Sequence, residues 1–188
     1  LIGTYGNFVH RVMTLTHRLV DSDSNPLSPY DHTDSHSKII EDCRIKMESA
    51  ISSMERQRFK EALRSIMGIA QIGNVLLQNA APWKYISSEE SEDRQESLSA
   101  LAMAWRLCRT LSILTRPFMP FQSERLWSML GETGDIDSIL WDNSLDTNCE
   151  LHWNPENPQP LFSRLDLDEI IADEKSIVED SNDNDPKH

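Results

Sequence analysis

From Phe59 to Leu77 apolar side chains recur at helical spacing (Phe59, Leu63, Ile66, Ala70, Gly73 and Leu77), and the pattern halts at Pro82. A stripe of that period is stable when other helices cover it, so the stretch predicts a long amphipathic helix packed among helices. Pro82 has no amide hydrogen and drives Ala81 out of the α conformation, which ends the helix. Trp83 follows directly, in the polar corner "NAAPWKY". An indole held at such a stiff corner is either a core anchor or a platform for something flat.

The same period recurs along residues 1–131. Residues 4 to 20 place Phe8, Val12, Leu15 and Leu19 on one face, with Asn7, Arg11, Thr14 and Arg18 on a second, polar and positive stripe. Residues 36 to about 58 turn Ile39, Ile40, Cys43, Met47, Ala50, Ile51 and Met54 inward, and 93–115 do the same with Leu98, Leu101, Ala102, Trp105, Cys108, Leu111 and Leu114. "RPFMPF" interrupts that helix, and "SERLWSMLG" reads as a short fifth one closed by Gly131. Gly68 and Gly73 sit inside the third helix, where they mark close approach of a neighbour. "DSDSNPLSPYDHTDSHS" is a loop, with Asp34 or Ser35 as cap of the following helix. No alternating strand pattern occurs. The expected fold is all-α, a helix bundle of about five helices over 1–131.

Residues 132–166 form an expected irregular, extended segment, docked through Trp141, Trp153, Leu161 and Phe162 on the bundle or on a further domain. Residues 167–188 read as a short helix and a disordered acidic tail. The chain opens at Leu1 with residues that are already helical, so a segment of a longer protein is expected.

The net charge of −13 is unevenly spread. Residues 1–130 carry 15 basic and 15 acidic side chains, so the whole excess lies in 131–188. The first twenty residues hold Arg11 and Arg18 and no acid, and an acidic total does not exclude a polyanionic partner when positive charge is local. Cys43, Cys108 and Cys149 lie far apart with no CxxC pair, which speaks against a zinc knuckle or disulfide scaffold and for a reducing, cytoplasmic setting. Cys108 reads as a small buried apolar residue. No apolar run is long enough for a membrane span.

Catalytic signatures are missing from the chain: no phosphate-cradling glycine loop, no HExxH and no Gly-x-Ser-x-Gly elbow. His32 and His36, in or near the polar loop, read as solvated histidines rather than metal ligands, and Asp34 as a capping residue. No cofactor and no catalytic residue is expected here. What remains is a binding surface. Asn7 and Arg11, four apart on one helix face, can together make paired hydrogen bonds to exposed base edges, and Trp83 can stack an unpaired base. The alternative is a solvated helix face with Trp83 in the core. A helical module that binds a peptide through its aromatic corner is a further alternative.

Taken in order, "GNFVHR" (6–11), "FKEALRSIMGIAQIGNVLLQNAAPWKY" (59–85), "RPFMPFQSERLWSMLG" (116–131) and "LFSRLD" (161–166) resemble the C-terminal region of methionyl-tRNA synthetases. The resemblance runs from residue 1 to about 166. "PFMPF" alone is shared with leucyl, valyl, isoleucyl and cysteinyl synthetases; the Asn-x-x-x-Arg pair, the Pro-Trp corner and the Leu-Phe-x-Arg-x-Asp ending point to methionine. The resemblance implies a helical domain that reads the CAU anticodon of tRNA, with Asn7, Arg11, Pro82 and Trp83 as anticodon-binding residues and Trp83 stacked on the cytosine. Arg18 adds phosphate attraction. It also implies a partner catalytic domain on the same polypeptide, using ATP with magnesium and holding zinc. The HIGH-like and KMSKS-like motifs of that domain are absent, so no aminoacylation is expected from these residues alone. Family members carry a Gly-His pair before the final motif, where "CELHWN" has His152 without the glycine.

Overall fold

The computed structural model describes residues 2–18, 27, 36–85, 92–147, 149–152 and 158–162. Among these residues five α-helices follow a π-helical turn over Ile2–Gly6: α1 (Asn7–His17), α2 (Ser37–Glu55), α3 (Phe59–Ala80), α4 (Glu92–Thr115) and α5 (Pro120–Met129). Short 3-10 turns stand at Pro82–Lys84, Ile136–Ser138 and Trp141–Asn143, and no strand occurs among the described residues. The chain is thus an all-α bundle, as its periodicity predicts. No helix among the described residues is long and apolar enough to cross a membrane, and none of their His, Cys, Asp and Glu side chains group to hold a metal ion.

The core is assembled from the predicted stripes. Phe8, Val12 and Leu15 of α1, Cys43, Met47 and Ala50 of α2, and Ile66, Ala70 and Leu77 of α3 are buried together. Every inward residue predicted for α4 is buried, Cys108 among them. Burial also pushes the Cys108 thiol up and the Cys43 thiol up to about 12, so both behave as small apolar groups. Gly73 lets α1 lie directly on α3. A Cβ there would stand 2.3 Å from Phe8 Cζ, so any side chain would force the two helices apart.

Three expectations change. The first helix begins as a π turn, and its α-helical part ends at His17. Between α2 and α3 the helical path is broken: Gln57 adopts φ 59, a left-handed value, and the chain reverses into α3. That reversal leaves Phe59 outside the bundle at 55% exposure rather than inward, because it is the first residue of α3 and the buried stripe of that helix starts only at Ala62. The fifth helix starts three residues early, at Pro120, since proline suits the first helical position. Gly131 closes it with φ 77, as expected.

His36 is also not solvated. It is buried at the entry of α2, on the wall of a cleft between α2, α3 and α4. His32, Asp34, Ser35, Trp153 and the acidic tail lie outside the described residues.

Among the described residues, the irregular segment meets the bundle at several places. Trp141 packs on the core beside Leu145, and Leu161 is buried in it. Phe162 meets Tyr5 edge-on, ring centroids 5.8 Å apart. Tyr5 is itself buried, shares a hydrogen bond of 3.3 Å with Thr115 Oγ1, and has its phenol pushed up by burial. The π turn is therefore clamped between α4 and the segment that ends the described chain.

Candidate nucleic-acid interface

The corner after α3 is built by three constraints. Ala81 is left-handed, φ 43 and ψ 51, and its amide still donates to Leu77. Placing a non-glycine residue there costs about 1–2 kcal/mol. The next residue, Pro82, fixes its own φ and is buried. Ser97 Oγ of α4 donates to the Ala80 carbonyl at 3.0 Å, pinning the helix exit to its neighbour. The amides of Lys84 and Tyr85 close the 3-10 turn on Ala81 and Pro82 at 2.9 and 3.1 Å. Trp83 leaves this turn 44% exposed, so its ring is half open and is not a core anchor.

That ring carries a cation. The Arg11 guanidinium carbon stands 5.2 Å from the Trp83 ring centroid, a cation–π contact between α1 and the corner. Arg11 Nη1 donates to Asn74 Oδ1 at 3.3 Å. The Asn74 amide nitrogen in turn donates to the carbonyls of Thr4 and Ala70, both at 3.0 Å. The structure thus brings Arg11, Pro82 and Trp83 together, separated by 71 to 72 positions in the chain. Asn7 lies on the same helix face one turn earlier, exposed, with its amide donating back to the Gly3 carbonyl at 2.9 Å. Arg18 is exposed at the C-terminal cap of α1, on the same stripe but about 10 Å further along the axis.

Asn74 was not among the residues the sequence singled out. Its signal is there: a carboxamide between Gly73 and Leu77, on the stripe that should be apolar, has no reason to face another helix unless it bonds across.

A cleft of about 650 Å³ opens on another face of α3, between Lys38, Asp42 and Lys46 of α2 and Asp93 and Glu96 of α4. Its rim mixes both signs of charge and selects no one ligand charge. Of the corner's residues it borders Asn79, Ala80 and Tyr85, but not Pro82 or Trp83.

Residues 29–169 match the family model described as the anticodon binding domain of methionyl tRNA ligase. The chain belongs to that family. The match includes Pro82 and Trp83 but begins after α1, so Asn7, Arg11 and Arg18 lie outside it. Whole-length relatives reach further. The methionine–tRNA ligase of Aeropyrum pernix is 34% identical over 177 residues, covering 94% of this chain and 29% of its own length. That of Methanopyrus kandleri is 25% identical over 181 residues, covering 96% of this chain and 25% of its own. Among solved structures, apo methionyl-tRNA synthetase of Mycobacterium tuberculosis superposes with a TM-score of 0.72 at 17% identity, over 88% of this chain and 32% of that one. At such identity the likeness shows the fold. The chain therefore spans between a quarter and a third of the length of these relatives.

Proposed function

We propose that this chain binds the CAU anticodon loop of methionine tRNA, as the anticodon-binding part of a cytoplasmic methionine–tRNA ligase. The observation that carries the reading is the rigid, half-open indole of Trp83 with Arg11 against it, in a member of a family described as anticodon-binding. Anticodon bases are unpaired, so a splayed cytosine can lie on the free area of the indole while its edge meets polar side chains. Arg11 does two things in this scheme. It holds the indole in place, and it supplies a positive charge beside the bound loop. Asn7 releases its bond to Gly3 and reads a base edge, and Arg18 meets backbone phosphate. Pro82 keeps the approach direction fixed, so little conformational freedom is lost on binding. Attachment of methionine to tRNA, with ATP, magnesium and zinc, is assigned to the catalytic domain of the full-length ligase, which joins this chain as its partner.

Synthetic anticodon stem-loops carrying CAU or permuted anticodons test this directly. The wild-type chain should prefer CAU, with an affinity that weakens steeply as salt rises. Trp83→Ala should lose at least about tenfold in affinity without unfolding, since stacking contributes about 1–3 kcal/mol per base. Unchanged binding by folded Trp83→Ala protein would refute the reading.

A further inference from the structure

We infer that Asn74 is a positioning residue, whose locked carboxamide sets the pose of Arg11 against Trp83 and thereby the geometry offered to the RNA. The inference rests on Arg11 and Trp83 forming the interface proposed above.

Three observations carry it. The two hydrogens of the Asn74 amide nitrogen are both taken, one by Thr4 O and one by Ala70 O, each at 3.0 Å. An amide with both hydrogens committed cannot rotate. The flipped arrangement would set its oxygen against two carbonyl oxygens, which repel it. The orientation of Oδ1 is therefore dictated by backbone, and Oδ1 is the atom that receives Arg11 Nη1 at 3.3 Å. Second, the acceptors belong to different elements. Ala70 is one turn back on α3, whereas Thr4 is in the π turn that leads into α1, so the bond fixes α1 relative to α3 at the level of Arg11. Gly73 beside it lets Phe8 approach closely enough for that bond to form. Third, Asn74 is neutral. An acid in its place would hold Arg11 equally well but cancel its charge, whereas a carboxamide holds the guanidinium and leaves the charge for a polyanion. The four groups, Thr4 carbonyl, Asn74, Arg11 and Trp83, form one chain of contacts from the buried π turn to the exposed indole.

A double-mutant cycle on the 188-residue chain, with a CAU stem-loop as probe, tests the assignment. Alanine suits a helix interior, so Asn74→Ala should fold, and its thermal melt confirms that. It should weaken CAU binding about five- to tenfold in the wild-type background, and less than about twofold once Arg11→Gln has removed the group it positions. Without RNA, the fluorescence attributable to Trp83, taken as the difference from Trp83→Phe, should change on Asn74→Ala only when Arg11 is present. Equal losses in both backgrounds would overturn the inference, and so would wild-type affinity in Asn74→Ala. If instead Arg11→Gln and Trp83→Ala both bind as wild type, the interface reading fails first, and the cycle makes the two failures distinct.

Discussion

Two arginine–tryptophan pairs occur among the described residues, almost equal in geometry and opposite in setting. Arg109 lies 5.1 Å from the centroid of Trp127, and Arg11 lies 5.2 Å from that of Trp83. The first pair is closed. Trp127 is 6% exposed, its indole nitrogen donates to the Gly134 carbonyl at 2.7 Å, and Arg109 is neutralised by Glu132 at 3.0 Å. His152 approaches the same carboxylate at 3.9 Å. The second pair is open: its indole is half-exposed and its arginine is held by a neutral carboxamide. A cation–π contact thus serves as a staple where the chain supplies a carboxylate and a lid. Where it supplies neither, charge and ring face stay available. The backbone repeats the contrast. The closed side turns through glycine at Gly131, φ 77, while the open corner forces Ala81 to φ 43. Strain of this kind persists where the surroundings over-determine it, which here means Pro82 and the Ser97 bond.

The contrast fails or sharpens under substitution. Trp127→Ala should show the largest effect, a loss of about 3–5 kcal/mol in denaturant unfolding, with RNA affinity per folded molecule unchanged. Glu132→Ala comes next, at about 2 kcal/mol, because it leaves Arg109 mostly enclosed without a counter-charge. If either changed RNA binding without changing stability, the closed pair would be functional and the contrast void. Trp83→Ala should do the reverse, shifting stability by less than about 0.5 kcal/mol while weakening RNA binding. The smallest effect separates the two turns. Ala81→Gly should raise stability by about 0.5 kcal/mol, relief of strain being partly offset by unfolded-chain entropy, and Gly131→Ala should lower it by about 1 kcal/mol.

Much of the bundle was legible because the stripe read on α4 (Leu98, Leu101, Trp105, Cys108 and Leu111) is interior, but α4 is buried on every side from Ser97 to Cys108 and from Thr110 to Thr115, which a one-face period does not foretell. Pro82 marked the end of α3 without ambiguity. Phe59 was misread because spacing assigns a face and not a level: it is the first residue of α3, and burial on that helix starts only at Ala62. His36 was misread because residues outside a helix follow the path of the chain, which no period encodes. Of the candidate site, the helix stripe of Asn7 and Arg11 and the corner of Trp83 were readable separately. Their meeting was implied by the family resemblance and not by spacing, since it depends on α1 crossing α3 at Gly73. Asn74 escaped for the same reason: a side chain that bonds across helices is visible only once both helices are placed.

Tryptophan fluorescence during titration with a CAU stem-loop addresses the central claim most directly, because a base stacked on an indole quenches it. The account predicts quenching that disappears in Trp83→Phe and persists in Trp127→Phe. Quenching that survives the loss of Trp83 would contradict it.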